Sequence, residues 1–208
     1  MKRTRRRLPR EFFGRATLDV ARELIGKVLV HETPAGAAAG RIVEVEAYIG
    51  EDDPACHAAP GRTRRNAPLY GPPGIAYVYL NYGIHFLTNV VTEADGFPAA
   101  VLLRGLEPCE GIDLMEQRRT GRARGAALIP VEGLCRGPGN LSKALGITLK
   151  QNRLDMTDSP LRIEDWGLGA AELAWGPRIG IRVGTDKAWR CYEQGCPAVS
   201  SLPRARKK

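Results

Sequence analysis

The run Arg41–His57, RIVEVEAYIGEDDPACH, combines the pattern of a β-strand with side chains that can carry out chemistry. Its first half is rich in isoleucine and valine and is followed by a break at Gly50, which predicts a strand that ends near that glycine. Successive side chains of a strand point to opposite faces, so residues two apart share a face. One face of this strand is therefore expected to carry Glu44, Glu46 and Tyr48.

A second strand-forming run, Ala76–Val91, reads AYVYLNYGIHFLTNVV. Two arms rich in β-branched and aromatic residues flank the turn-forming sequence Asn81–Gly83, which predicts a β-hairpin. Three tyrosines occur within six residues, and the last of them, Tyr82, stands at the turn. The sequence predicts a hairpin with an aromatic tip, and the residues alone leave open whether Tyr82 is an ordinary core or turn tyrosine.

Hydrophobic periodicity and glycine or proline breaks predict the other elements. The segment Thr17–Gly26 has apolar residues at helical spacing and ends in a glycine, so it is expected to be a short helix. We find no internal repeat and no second domain boundary, so one mixed α/β domain is predicted. Further predicted segments are a strand that begins at Lys27–Val30, a turn at 34–40, a long loop at Pro54–Pro73, a strand at Ala99–Arg104, a helix from Pro108 to about Arg119, and a strand at Arg178–Val183.

Charge is distributed unevenly along the chain. The 208 residues suit one domain, and the formal net charge is +8. Residues 1–10 hold six basic side chains and residues 204–208 hold four, while the remainder has 21 basic and 23 acidic side chains. We therefore expect basic tails at 1–10 and 204–208 around a domain at 11–203. Such tails are either arms that bind phosphates or solvated ends.

A nucleic-acid surface on the globular part must then be local, because that part is not basic overall. Two groups of arginines are candidates, and each is alternatively a solvated face. The groups are Arg62, Arg64 and Arg65, and Arg118, Arg119, Arg122 and Arg124.

The five cysteines are odd in number and follow no disulfide spacing, which predicts free thiols in a reducing, cytoplasmic compartment. Cys56 and His57 lack a second pair of ligands at metal spacing, so neither a metal site nor a cofactor is expected. The apolar run Leu24–Val30 is interrupted and too short to span a bilayer, so no membrane association is expected.

The segment Leu134–Leu145, LCRGPGNLSKAL, faintly resembles the helix-hairpin-helix of a known superfamily of DNA-binding enzymes. A glycine turn before a helix can bind phosphate through backbone N–H groups. That superfamily is largely helical, whereas this chain is rich in strands and lacks the downstream lysine or aspartate. A Gly/Pro turn followed by a capped helix is the favoured interpretation.

Four motifs in order along the chain resemble the alkyladenine DNA glycosylase family, the mammalian type of 3-methyladenine DNA glycosylase. The four are EAYIG, the histidine His57, YVYLNYG at 77–83 and AVLLRGLEP at 100–108, and the resemblance extends from about Phe12 to about Leu202. It implies a curved antiparallel β-sheet with surrounding helices and a protruding β-hairpin that intercalates into DNA.

Excising a base from a duplex requires the nucleotide to leave the stack, a side chain to fill the gap and a pocket to hold the base. The resemblance places Tyr82 as the intercalating side chain, and an aromatic ring at a hairpin tip can wedge between bases. It also implies that Tyr48, His57 and Tyr79 sandwich the base, which would favour cationic, alkylated purines. Without the resemblance, His57 is more simply a structural histidine.

Hydrolysis further requires a water molecule aimed at C1′ of the sugar. Glu46 is the predicted general base and Glu44 is its competitor from the residues alone; the resemblance selects Glu46 and makes Arg104 its partner in holding the water. It also implies that the backbone carbonyl of Ile179 contacts this water and that Asn89 forms the pocket floor. Asn89 is alternatively a strand-end amide that bonds the backbone.

The predicted activity is that of a monofunctional DNA glycosylase of base excision repair, since no lysine in the motifs could form a Schiff base. Its expected substrates are 3-methyladenine and 7-methylguanine in double-stranded DNA, with hypoxanthine and ethenoadenine as further candidates, and it is expected to act as a monomer. One alternative is a non-catalytic lesion-binding protein of the same fold. Another is an enzyme that acts on RNA or free nucleosides.

Overall fold

The computed structural model describes residues 5–121 and 129–200. Within these residues the chain forms four α-helices, a few short 3₁₀ turns and nine β-strands. The helices are α1 (Arg10–Phe13), α2 (Thr17–Leu24), α3 (Ile112–Thr120) and α4 (Pro138–Leu145). The strands are β1 (Arg6–Arg7), β2 (Val28–Thr33), β3 (Gly36–Ile49), β4 (Ala76–Asn81), β5 (His85–Val91), β6 (Ala99–Glu110), β7 (Leu161–Asp165), β8 (Leu173–Gly176) and β9 (Arg190–Glu193).

All nine strands belong to one antiparallel sheet with the order β1-β7-β2-β3-β6-β5-β4. Strand β9 pairs with both β3 and β8, antiparallel in each case. The predicted mixed α/β domain with a large antiparallel sheet and helices is therefore confirmed. The predicted hairpin is also confirmed as a structural element, since β4 and β5 pair from Ala76 and Val90 to Asn81 and His85.

Strand β3 lies at the centre of the sheet and contains the first part of the run Arg41–His57, which we call the acidic motif. It pairs with β2 over its first half and with β6 along most of its length, and β9 joins it at Glu44–Glu46. The register with β6 shifts on either side of Glu44. A Cβ atom at Gly105, which faces Glu44, would lie 2.9 Å from the carbonyl oxygen of Ala198, so this close approach requires glycine.

The helices cover the hydrophobic core. Helix α2 packs against β3 and β6, and α4 packs against β5 and β6. Helix α2 buries one apolar face, as its helical spacing predicts. Fully buried side chains of α4 include Leu141 and Leu145, which join the same core as Ile42 and Leu103 of the sheet. No helix in the described ranges is both long and apolar enough to cross a membrane.

Three predicted boundaries are wrong: the extent of the turn at 34–40, the helix start at Pro108 and the strand end at Arg104. The turn predicted at 34–40 is confined to two residues, because Gly36 already pairs with Thr33 in the β2–β3 hairpin. Pro108 does not begin a helix, since β6 continues through it and pairs it with Gly40. The strand ends only at Glu110, and Gly111, with a φ of +72°, turns the chain into α3; a Cβ atom at Gly111 would lie 2.2 Å from the carbonyl oxygen of Ala37.

The strand predicted at Arg178–Val183 is also wrong. The chain leaves β8 at Gly176 and runs without regular secondary structure to β9. Pro177 lacks the N–H that a ladder needs, and Gly180 and Gly184 adopt positive φ angles of +80° and +62°. The backbone of this segment is therefore free to bond to side chains instead of a neighbouring strand.

Residues 5–10, which lie in the expected N-terminal tail, pack onto the sheet. Arg6 and Arg7 form the edge strand β1 and pair with β7, and Leu8 is buried. Arg5 and Arg10 form ion pairs with Glu110 and Asp155. The rest of the N-terminal stretch and the predicted C-terminal tail at 204–208 lie outside the described residues.

Candidate active site

A cavity of about 520 Å³ opens between the end of β3, the loop after it, the β4–β5 hairpin, β6 and the start of α4. This volume is typical of a small-molecule site. The predicted site residues that line it are Tyr48, His57, Tyr79, Tyr82, Asn89, Arg104 and Ile179. Seven residues that are far apart in sequence therefore meet at one cavity.

Three rings form one aromatic wall. His57 and Tyr79 contact each other edge to face with centroids 4.4 Å apart, and Tyr77 packs against both of them. A planar base cannot lie between His57 and Tyr79 at that separation, so these two rings act as one surface. Tyr48 is the remaining predicted stacking ring, and it also lines the cavity.

The tautomer of His57 is linked to Tyr77. The His57 Nδ1 atom lies 2.9 Å from the Tyr77 hydroxyl oxygen, and burial lowers the pKa of His57. The ring is therefore neutral near pH 7. If the Tyr77 hydroxyl donates to Nδ1, the proton of the imidazole lies on Nε2, which leaves that nitrogen as a donor.

Glu46 lies one layer behind the cavity wall. Its side chain has no solvent exposure, and three lining residues donate to it: the Ile179 amide at 2.6 Å, the Tyr48 hydroxyl at 2.9 Å and Arg104 Nη1 at 3.2 Å. Burial raises the pKa of the Glu46 carboxyl, while Arg104 and the other two donors oppose the rise. The carboxylate is thus desolvated yet held in place by three hydrogen-bond donors, the kind of environment in which perturbed pKa values occur.

Glu44 is held differently, although it shares the strand face predicted for it. Arg104 Nε and Arg190 Nε donate to its Oε1 atom at 3.1 and 2.7 Å, and the backbone and hydroxyl of Ser200 both donate at 2.7 Å. Four hydrogen bonds leave this carboxylate little capacity for a water molecule. Glu44 instead orients Arg104, whose guanidinium bridges the two glutamates.

The backbone N–H of Ile179 donates to the Glu46 carboxylate at 2.6 Å, a contact that the sequence analysis did not predict. In a strand this N–H would pair with a neighbouring strand. The irregular path of residues 178–183 leaves it free to bond to a side chain instead. The contact of the Ile179 carbonyl with a water molecule, which the resemblance implied, stays a prediction.

Asn89 fits both interpretations of its role. Its Nδ2 atom donates to the carbonyl oxygen of Tyr77 at 2.9 Å, as a strand amide that bonds the backbone does. The residue is also nearly buried and lines the cavity, as does Leu102, with which it pairs in β6.

Tyr82 is not a core residue. It stands at the hairpin tip with a φ of +48°, which non-glycine residues rarely adopt, and 84% of it is exposed to solvent. Its neighbour Ile84 is 73% exposed. An aromatic and an aliphatic side chain therefore project from the rim of the cavity.

The two predicted arginine groups have different environments. Arg65 lies 5.9 Å from the Tyr79 ring and donates weakly to the carbonyl oxygen of Leu80, close to the hairpin, and Arg64 is exposed. In contrast, Arg118 and Arg119 donate to backbone carbonyls of α4 and of the turn before it. These two arginines therefore stabilise the packing of α3 against α4 and the turn before it. Arg122 and Arg124 lie outside the described residues.

Asp53 and Arg178 were missed by the sequence analysis. They form a fully buried, two-point ion pair, and the Arg178 guanidinium lies 4.7 Å from the centroid of the Tyr48 ring. Asp53 lies within the acidic motif, but nothing in the sequence links it to a residue 125 positions later.

Helix α4 begins with Pro138 after Gly137, which has a φ of +94°, and no side chain caps it. The turn-and-helix interpretation of Leu134–Leu145 is confirmed, apart from the cap. Gly137, Pro138 and Gly139 line the cavity mouth, where a Cβ atom at Gly139 would lie 2.7 Å from the His85 ring. In the described ranges, no group of three His, Cys, Asp or Glu residues could hold a metal ion, and the five cysteines are free.

Comparison with known proteins places this site in a family. A sequence model of methylpurine-DNA glycosylase matches residues 11–197. Three curated relatives bear the name "Putative 3-methyladenine DNA glycosylase". The protein from Methanocella arvoryzae is 47% identical over 197 residues, which cover 93% of this chain and 95% of its own. Those from Burkholderia lata and Prosthecochloris aestuarii are 46% and 43% identical, and cover 93% and 97% of this chain and 90% and 96% of their own.

The matches extend over nearly the whole chain and include every element that lines the cavity. The chain therefore belongs to the methylpurine-DNA glycosylase family and is an enzyme of the N-glycosylase class, a hydrolase.

Proposed function

We propose that this enzyme flips alkylated purines, such as 3-methyladenine and 7-methylguanine, out of duplex DNA and hydrolyses their N-glycosidic bond to leave an abasic site. One observation carries the proposal: the buried Glu46 carboxylate is bonded by three residues that line an aromatic cavity. A water molecule on the cavity side of these residues would be within reach of both Glu46 and C1′ of a flipped nucleotide.

The aromatic wall supports a preference for alkylated purines. We propose that the base stacks between Tyr48 and the joint surface of His57 and Tyr79. Stacking contributes about 1–3 kcal/mol per base, and electron-rich ring faces favour a purine made cationic by alkylation. Such a purine is already a good leaving group, so the water activated by Glu46 is the main chemical contribution required of the protein.

Tyr82 is proposed to fill the gap that the flipped nucleotide leaves in the duplex. Replacing it with alanine removes the wedge, so we expect base release from a duplex under subsaturating enzyme to fall about 10- to 100-fold, the loss of one stacking interaction. Because the side chain is 84% exposed, the free energy of unfolding should change by less than about 0.5 kcal/mol. Single-turnover release of 7-methylguanine and urea unfolding measure the two effects.

Leu149→Ala is a matched control for Tyr82→Ala, because Leu149 is 52% exposed but is not part of the cavity. It should release base normally. Equal activity of the two variants on duplex DNA would contradict the role proposed for Tyr82.

The proposed base also predicts a pH dependence. Glu46 must be charged to activate water, and its pKa is raised above the ordinary 4.5, so activity should disappear as pH falls through a value above 4.5. The Tyr48 hydroxyl lowers the Glu46 pKa, and Tyr48→Phe should move this acid limb to higher pH. The measurement is the pH profile of single-turnover base release, corrected for spontaneous depurination. An acid limb at or below 4.5 would count against Glu46.

The activity itself is tested with duplexes that each carry one lesion: 3-methyladenine, 7-methylguanine, hypoxanthine or ethenoadenine. We expect released alkylated purine and an abasic strand that breaks only after alkali treatment. Tight binding without released base would favour the non-catalytic lesion-binding protein. Faster release from RNA or free nucleosides would favour an enzyme that acts on those substrates. A steep loss of DNA affinity with salt is expected if arginines near the hairpin contact phosphates.

A further inference from the structure

Asp53 and Arg178 form an ion pair buried behind the cavity wall. Arg178 Nη1 and Nη2 donate to the two carboxylate oxygens of Asp53 at 2.6 and 2.8 Å, and neither side chain has any solvent exposure. Burying two charges costs free energy that their attraction often does not recover, so apolar residues of the same volume often stabilise a fold equally well. Stability alone is therefore a weak explanation for this pair.

The pair joins residues 178–184 to strand β3 and to the loop that directly follows it. Arg178 donates to the carbonyl oxygen of Ala47 at 3.0 Å, near the end of β3, and to that of Gly184 at 3.2 Å. Asp53 also accepts hydrogen bonds from the backbone of Ala55 and, at 3.5 Å, of Ile49. The irregular segment 178–184 is thus fastened to the central strand and to the loop after it.

Two of the three donors to Glu46 depend on this attachment. Ile179, whose N–H lies 2.6 Å from the carboxylate, directly follows Arg178 in a segment without a strand ladder to fix it. The Arg178 guanidinium also lies 4.7 Å from the centroid of the Tyr48 ring, within cation–π range. The hydroxyl of that ring donates to Glu46 at 2.9 Å.

We infer that Asp53 and Arg178 are a positioning pair for the reaction: they hold the Ile179 amide and the Tyr48 ring where both donate to Glu46. The inference rests on the proposed function of Glu46 as the base. The pair acts through Ile179 and Tyr48, so its loss should alter the ionisation of Glu46 and the chemical step more than the binding of DNA. A pair that only stabilised the fold would not shift the pH profile.

The test is Asp53→Asn, which keeps the shape of the side chain and removes its charge. We expect single-turnover release of 7-methylguanine from a single-lesion duplex to slow by about tenfold or more, since misplacing a catalytic group has effects of this order. The acid limb of the pH profile should move up by about one pH unit, as expected for loss of one hydrogen bond to a carboxylate. Affinity for the duplex, measured by fluorescence anisotropy, should change less than about threefold, well short of the kinetic effect.

Arg178→Lys keeps the positive charge without the two-point geometry. Its rate of base release and the position of its acid limb should lie between those of wild type and Asp53→Asn. It also tests the positioning role if Asp53→Asn does not fold. Glu164→Gln is the matched control, because it neutralises another buried carboxylate, paired with Arg162 on strand β7, two strands away from β3. Urea unfolding of all variants separates stability from catalysis, and Glu164→Gln should keep the wild-type pH limb.

The outcomes distinguish this inference from the proposed function. If Glu46→Gln is inactive but Asp53→Asn and Arg178→Lys keep the wild-type rate and acid limb, the positioning role is overturned and the function stands. An equal change of rate and acid limb in Glu164→Gln overturns it as well, because stability would then explain the effect. If Glu46→Gln is fully active, the proposed function fails, and the positioning role fails with it.

Discussion

Glu46→Gln should abolish base release while the protein still binds lesion-containing DNA. Glutamine has nearly the same shape as glutamate but cannot take a proton from water, and loss of general-base catalysis costs about 10²- to 10⁴-fold in rate. The cavity rings and the hairpin tip are unchanged, so affinity for DNA should remain. Single-turnover release of 7-methylguanine and anisotropy with the same duplex measure the two quantities.

Glu44→Gln is the internal comparison, because both glutamates lie on β3, are fully buried and contact Arg104. Glu44 accepts four hydrogen bonds that connect Arg104, Arg190 and Ser200. Its loss should therefore lower the free energy of unfolding more, and the rate less, than Glu46→Gln does. If Glu44→Gln released base more slowly than Glu46→Gln, Glu44 would be the general base.

Arg104→Met should have the largest effect on stability. The Arg104 guanidinium is nearly buried between two fully buried carboxylates, so its removal leaves both without their shared cation. Breaking a buried ion pair by removing one partner costs about 3–5 kcal/mol. Base release should also be lost, since Arg104 lines the cavity and bonds to Glu46.

The instability of Arg104→Met should depend on pH. Arg104 lowers the Glu46 pKa, which burial has already raised, so the pKa rises further in the variant. An acid whose pKa is higher in the folded state contributes stability at low pH and loses it as pH rises through the folded value. Urea unfolding between pH 5 and 8 should show the deficit relative to wild type growing with pH. A constant deficit would indicate that packing, and not charge, is responsible.

Short-range patterns were sufficient for several elements of the fold. The β-branched run with its glycine break predicted the centre of β3, and the turn residues around Tyr82 predicted the β4–β5 hairpin. Both patterns reflect local preferences of the backbone, so they predict the elements without information on tertiary contacts. Pro108 failed as a helix start because pairing with β3 extended β6 past it, and such pairing is not visible in a local pattern.

In the site, too, local patterns predicted some features and long-range contacts decided others. Alternation along a strand placed Glu44, Glu46 and Tyr48 on one face, but only the fold showed which carboxylate is bonded by Tyr48 and Ile179 of the cavity lining. Glu44 is occupied by Arg190 and Ser200, which follow it by 146 and 156 positions. Contacts over such separations depend on how the sheet closes, and their energies are not encoded in any local segment.

The sequence by itself determined the family, the strand that carries the acidic motif and the aromatic hairpin, because these depend on residue types at short spacing. Only the tertiary structure decided that Glu46 lies behind the cavity, that the Ile179 amide holds it and that Arg178 pairs with Asp53. The last two are contacts between residues more than 100 positions apart. Such contacts exist only once the sheet has formed and has excluded water from the charges.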